Sequence, residues 1–128
     1  MVMSVFDDVP EGAREVVEAL LLEPTVPEAA LLVELSAHLE TIHAAAGQNE
    51  FLDVSLALRL TEVSRALIGE SRRRDDGARR LVQAAVRYFI IDDDADPDLE
   101  SVCGLDDDAE VCNAVARALG RNDLIIEI

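Results

Sequence analysis

The sequence predicts an all-α domain, a compact bundle of about five helices, on three observations. Half of the residues are hydrophobic but only 3% are aromatic, so aliphatic side chains must fill the core, and aliphatic stripes favour packed helices. Apolar residues recur at helical spacing in five segments. Proline and glycine separate those segments. The 128 residues fit a single domain over 1–128, long enough to bury roughly two-thirds of the surface of the unfolded chain.

Prolines delimit the first two predicted helices. Pro10 suits the first turn of helix one, and Pro24 and Pro27 end that helix and open helix two. Gly47 is expected to end helix two in a left-handed conformation. The inward stripe of helix two contains Leu31, Leu35, Leu39, Ile42 and Ala46.

The third predicted helix runs from about Leu52 to Ile68, and Gly69 is expected to end it. The polar stretch from Glu70 to Gly77 predicts an exposed connection to helix four. The inward residues of helix four are Leu81, Val82, Ala85, Val86, Phe89 and Ile90.

Helix five is predicted to begin near Asp107, where Asp107 and Glu110 resemble a capping box with aspartate in place of serine or threonine. Gly120 is expected to end this helix. The tail from Leu124 to Ile128 is predicted to be a short extended segment packed on the bundle.

A formal net charge of −16, with 11 arginines and no lysine, limits the function classes. Nucleic acid and anionic membranes would be repelled. The apolar runs are too short to span a bilayer, and acidic residues stand where a secretory signal would need basic and apolar ones. We therefore expect a soluble, cytoplasmic protein. The acidity fits a GC-rich, salt-adapted host, or a surface that meets a basic partner or mimics nucleic acid.

The histidines and cysteines form no complete site. Glu40 and His43 have the Glu-x-x-His spacing of di-iron bundles, but the required second copy is missing. We expect His38 to be half-buried and His43 solvated. Cys103 and Cys112 lack further zinc ligands at suitable spacing and are expected to be free thiols. No nucleophile or phosphate-binding motif is present, so the sequence favours a protein that is not an enzyme.

The most specific segment is RYFIIDDDADPDLESVCGLDDDAEV at residues 87–111, with aspartates in two clusters. The first cluster alternates like a calcium loop, but Pro97 and Cys103 stand where an EF-hand that starts at Asp92 needs Gly and Glu. Pro97 and Gly104 predict a structural turn between helices four and five. A looser Ca²⁺ or Mg²⁺ site stays open, with Asp94, Asp98, Asp107 and Asp108 as ligands.

Residue order in this segment resembles the YkvA-like family, a bacterial domain of unknown function. The matching residues are Tyr88-Phe-Ile-Ile, Asp94-x-x-Pro97-Asp98 and Gly104-Leu-x-Asp107-Asp108-Ala109, within about residues 81–115. In that family an aromatic helix end leads into Pro-x-Asp-x-x-Pro-Asp, then Gly-Tyr-x-Asp-Asp and another helix. The resemblance implies no established activity.

This chain departs from the family pattern at several positions. Asp92 replaces its first proline, Asp93 and Asp96 replace aliphatic residues, and Leu105 replaces an aromatic residue. We expect the aspartates that match the family to be structural or ligand-binding. The additional ones are expected to face solvent or a partner.

The leading functional hypothesis is a non-enzymatic interaction or regulatory module whose acidic surface engages a protein partner, expected to be basic. The alternative is a divalent-cation-binding protein that uses the aspartate-rich turn. A hydrolase with paired carboxylates is a third interpretation. The sequence leaves homo-oligomerisation open.

Overall fold

The computed structural model describes residues 5–46, 54–95 and 104–127, and these residues form an all-α bundle. This confirms the predicted fold class. No strand occurs within the described ranges. The helices are α1 (Glu11–Leu20), α2 (Glu28–Ala46), α3 (Val54–Ser71), α4 (Asp76–Ala95) and α5 (Gly104–Ala118), followed by a 3₁₀ turn at Asn122–Leu124.

Contacts near the helix ends show how the last three helices run. Arg74, just after α3, donates to the carbonyl oxygen of Leu119 at the C-terminal end of α5, at 2.7 Å. Arg121, just after α5, lies 2.8 Å from the carboxylate of Glu70 near the C-terminal end of α3. α3 and α5 are therefore parallel. α4 runs in the opposite direction, since only residues 72–75 connect it to α3.

Aliphatic side chains dominate the core, as the composition predicts. Phe6 and Phe89 are its largest fully buried residues, at 0% and 1% exposure. Each fully buried Val, Leu, Ile or Phe side chain contributes roughly 1.5–3 kcal/mol to the stability of the fold. The other large apolar residues buried to this extent are Leu35, Ile42, Leu60, Leu67, Ile68, Val17, Val63, Val82, Val86, Val111 and Val115.

Two buried amide side chains hold irregular connections against the helices. Gln83 on α4 accepts a hydrogen bond from the Val26 N–H at 2.8 Å and donates to the Pro24 carbonyl at 2.9 Å. Asn113 on α5 accepts from the Ile126 N–H at 2.7 Å and donates to the carbonyl of the same residue at 2.8 Å. These bonds satisfy backbone groups that no helix or strand pairs. Ile125 is extended and Ile126 is buried against the bundle, as predicted, whereas Leu124 belongs to the 3₁₀ turn instead of the extended tail.

The end of α5 agrees with the sequence prediction. Gly120 has a φ of +73°, in the left-handed region. Its N–H donates to the Arg117 carbonyl at 3.1 Å, and the Arg121 N–H donates to the Ala116 carbonyl at 2.8 Å. This pair of bonds is the Schellman motif, which satisfies carbonyls at a helix C-terminus.

Two predicted helix boundaries are wrong. Gly69 does not end α3, which continues to Ser71, so the exposed connection is shorter than Glu70 to Gly77. A glycine inside a helix lowers the stability of that helix by only about 1 kcal/mol relative to alanine. Burial of the neighbouring Ile68 side chain offsets this loss. α5 begins at Gly104, and Asp107 therefore lies in its first turn instead of capping it.

Among the described residues, no helix is both long enough and apolar enough to cross a membrane.

Candidate functional site

The two ends of the bundle differ in charge. We call the end where α3 and α5 stop and α4 starts the basic end, and the opposite end, where α4 stops and α3 and α5 start, the acidic end. Most of the arginines lie at the basic end, in the final turn of α5, the first turns of α4 or the connections beside them. These arginines are Arg72, Arg73, Arg74, Arg79, Arg80, Arg117 and Arg121.

The acidic end carries a long segment without any positive charge. Asp92, Asp93 and Asp94 belong to the last turn of α4, and Asp106 and Asp107 to the first turn of α5. From residue 88 to residue 116 the sequence contains no basic residue. Its acidic residues are Asp92, Asp93, Asp94, Asp96, Asp98, Glu100, Asp106, Asp107, Asp108 and Glu110.

The arginines make ion pairs with acidic residues outside 88–116. Arg87 binds Glu34 and Glu23 at 3.1 and 3.0 Å, which joins α4 to α2 and to the connection before it. At the basic end, hydrogen bonds from Arg121 and then Arg74 lower the pKa of Glu70. The arginines therefore neutralise the sides and the basic end of the bundle.

The structure describes only part of the predicted metal site. Asp94 is in the last turn of α4, Asp107 is half-buried in the first turn of α5, and Asp108 is only 1% exposed. Asp98 and Pro97 lie outside the described residues, and Gly104 is the first residue of α5. Within the described ranges, no three His, Cys, Asp or Glu side chains are grouped so that they could hold a metal ion. The metal site stays a prediction.

Asp108 belongs to a buried polar group between α3 and α5. It lies one helical turn before Cys112, and both Cys112 and Ser64 of α3 are fully buried. Burial, with the nearby charge of Asp108, raises the pKa of Cys112 to about 12. The thiol is therefore neutral and unreactive at ordinary pH. This confirms the prediction of a free thiol for Cys112; Cys103 lies outside the described residues.

The structure corrects the prediction for one histidine. His38 is only 5% exposed instead of half-buried, and its ring meets that of Phe89 edge to face, with centroids 4.4 Å apart. This contact is worth about 0.5–1.5 kcal/mol beyond the buried area. His43 is exposed, as predicted, and so is Glu40.

A groove of about 580 Å³ lies at the acidic end, between the start of α3, the start of α5 and the tail. Leu56, Ile125 and Ile126 give it an apolar surface, and the carboxylates of Asp106 and Glu127 add negative charge. Its lining residues are Ser55, Leu56, Arg59, Asp106, Ile125, Ile126 and Glu127. Sequence reasoning missed this groove because three distant segments form it.

Arg59 is the basic residue of the groove lining, and its charge is already engaged. Its guanidinium lies 3.2 Å from the carboxylate of Glu62, one turn further along α3. The hydrogen bond from Arg121 is the main cause that lowers the pKa of Asp123, and the charge of Arg59 lowers this pKa further. The groove therefore keeps a negative character from Asp106 and Glu127.

Comparison with family models, with curated proteins and with solved structures found no match for this chain.

Proposed function

We propose that this protein is a non-enzymatic interaction module whose acidic end binds a basic segment of a partner protein. The observation that carries the proposal is the charge segregation along the bundle. The segment 88–116 holds ten acidic residues and no basic one, and the helix bounds put Asp92, Asp93 and Asp94 at the same end as Asp106 and Asp107. A basic partner would be attracted to this end over others, and the attraction would fall with added salt.

The last turn of α4 gives independent support. A helix C-terminus carries a partial negative charge, and acidic residues there are unfavourable. Asp92, Asp93 and Asp94 occupy that turn, so the helix dipole gives no stabilising reason for their charge. Acidic residues in the first turn of α5 are stabilised by the helix dipole, so this stabilisation alone explains the presence of Asp106 and Asp107 there.

We also keep the YkvA-like relationship as a proposal for about residues 81–115. The matching segment includes the end of α4 and the start of α5, which supports the two helices of that family's pattern. The relationship would imply a bacterial protein. It adds no activity to the proposed function.

The test uses two short peptides as probes, one alternating arginine and valine (the Arg-Val peptide) and one alternating aspartate and valine. Binding is measured by fluorescence anisotropy from about 0.01 M to about 1 M salt. We expect the Arg-Val peptide to bind and to be released by salt, and the aspartate peptide not to bind. Equal binding of the two peptides, or no binding of either, would overturn the proposal.

A pair of charge-matched variants locates the interaction. The triple variant Asp92→Asn, Asp93→Asn, Asp94→Asn should bind the Arg-Val peptide more weakly. The control variant Glu15→Gln, Glu18→Gln, Asp76→Asn removes the same charge from exposed positions on α1 and at the start of α4, and it should lose much less affinity. The same loss in both would show that only total charge matters and that the acidic end is not the site.

A further inference from the structure

We infer that the partner segment binds in an extended conformation along the tail, pairing its main chain with residues 125–127 and placing apolar side chains in the adjacent groove. This inference rests on the proposed function and specifies how the basic segment is held. Its occupant is an extended stretch of a partner polypeptide in which basic and apolar residues alternate. The groove and the backbone of the tail each support it.

The tail offers unused main-chain hydrogen-bonding groups. Ile125 is extended, with φ −64° and ψ 129°, and Asn113 takes both backbone groups of Ile126 on the side facing α5. The Ile125 N–H donates to the Asn122 carbonyl at 3.3 Å. Among the described residues, the Ile125 carbonyl and the Glu127 N–H make no hydrogen bond.

These two groups have the spacing that a second strand uses. In a sheet, a neighbouring strand donates to the carbonyl of one residue and accepts from the N–H two residues further along, in parallel and in widely spaced antiparallel pairs. The Ile125 carbonyl and the Glu127 N–H have this relation. An unpaired extended edge of this kind binds peptides by strand addition, in which the main chain gives affinity and pockets for alternate side chains give specificity.

The groove fits alternating apolar and basic side chains. Leu56 and Ile125 are partly buried at its surface and leave apolar area for a partner side chain to cover. Asp106 and Glu127 supply carboxylates for the basic side chains. Glu62 engages Arg59, so the lining does not repel a basic segment strongly.

The test compares the Arg-Val peptide with an analogue that has the same side chains and charge but N-methylated main-chain nitrogens at alternate positions. N-methylation removes the donors that would reach the Ile125 carbonyl. When the methyl groups lie on the edge of the peptide that faces the tail, we expect the analogue to bind about tenfold more weakly than the Arg-Val peptide. This factor is the cost of losing about one main-chain hydrogen bond. Equal, salt-sensitive binding of both peptides would overturn strand pairing and leave the proposed function intact. Binding of neither would overturn both.

A second pair of variants tests the protein side. Glu127→Pro removes the N–H and the carboxylate, whereas Glu127→Gln removes only the charge. Proline favours an extended residue before it, so Ile126 can keep its bonds to Asn113. We expect Glu127→Pro to bind about tenfold more weakly than Glu127→Gln. Equal affinities of the two folded variants would contradict the assignment of this N–H.

Discussion

At the scale of single residues, the amide side chain of Asn113 makes the two hydrogen bonds to Ile126 that a neighbouring strand would make in a sheet. It is 7% exposed and bonds both backbone groups of Ile126. Asn113→Ala would leave these groups unsatisfied, and we expect a loss of about 2 kcal/mol in the free energy of unfolding. Urea denaturation measures it. The control Thr41→Ala removes an exposed hydroxyl bonded within α2, and a loss as large as that of Asn113→Ala would show that the tail contact is not specific.

The Cys112 thiol predicts how stability depends on pH. Its pKa rises from 9.0 in the unfolded chain to about 12 in the folded one. A raised pKa stabilises the folded state fully below pH 9.0, and this stabilisation is lost as pH rises toward 12, at about 1.4 kcal/mol per pH unit. We therefore expect the unfolding free energy to fall above pH 9.0. The unfolding free energy of Cys112→Ala should fall less steeply with pH than that of the unchanged protein. Identical slopes for the two proteins would contradict a buried neutral thiol.

The chemical state of a side chain could be predicted from the sequence more easily than the residues that surround it. The exposed position of His43 and the free thiol of Cys112 followed from the absence of partner motifs. The burial of His38 did not, because its contact with Phe89 joins α2 to α4, and local periodicity does not show which helices are neighbours. The pair of hydrogen bonds between Asn113 and Ile126 was missed for the same reason.

At the scale of elements, the glycines of the helices differ in conformation. Gly120 has positive φ, so Gly120→Ala should cost about 1–2 kcal/mol. Gly69 lies inside α3 with no atom within 4 Å of an added Cβ, so Gly69→Ala should stabilise by up to about 1 kcal/mol. Thermal unfolding of the two variants checks these opposite signs. A stabilising Gly120→Ala or a destabilising Gly69→Ala would contradict the assigned conformations.

The aspartates at the end of α4 should oppose stability. Removing three negative charges from a helix C-terminus relieves their repulsion with one another and with the helix dipole. We expect Asp92→Asn, Asp93→Asn, Asp94→Asn to raise the free energy of unfolding by about 1 kcal/mol, while the peptide binds more weakly. Urea denaturation at low salt measures the gain. A triple variant that is less stable would show a structural role for these carboxylates.

Helix centres were predictable because burial of one face imposes a period on the sequence. The stripes of α2 and α3 contain Leu35, Ile42, Leu60, Val63 and Leu67, all buried. Helix ends were less predictable, since Gly69 and Asp107 are signals of about 1 kcal/mol that neighbouring packing overrides. Gly120 was predicted correctly because two backbone hydrogen bonds reinforce its conformation.

At the scale of the whole molecule, charge and topology act together. The acidic segment was visible in the sequence, but its relation to the groove was not, since Leu56, Asp106 and Ile125 come from three separate parts of the chain. The reversal between α3 and α4 puts most arginines at one end and leaves the other strongly negative. The proposed function therefore depends on the fold as well as on the composition.

The most direct test of this account is a map of amide chemical shifts during titration of the isotope-labelled protein with the Arg-Val peptide. We expect the largest changes in the last turn of α4, the first turn of α5 and residues 125–127, and we expect these changes to disappear at high salt. Exposed acidic residues away from this end, such as Glu15, Glu18 and Asp76, should change little. Shifts spread evenly over all acidic surfaces, or centred on these three residues, would contradict a binding site at the acidic end.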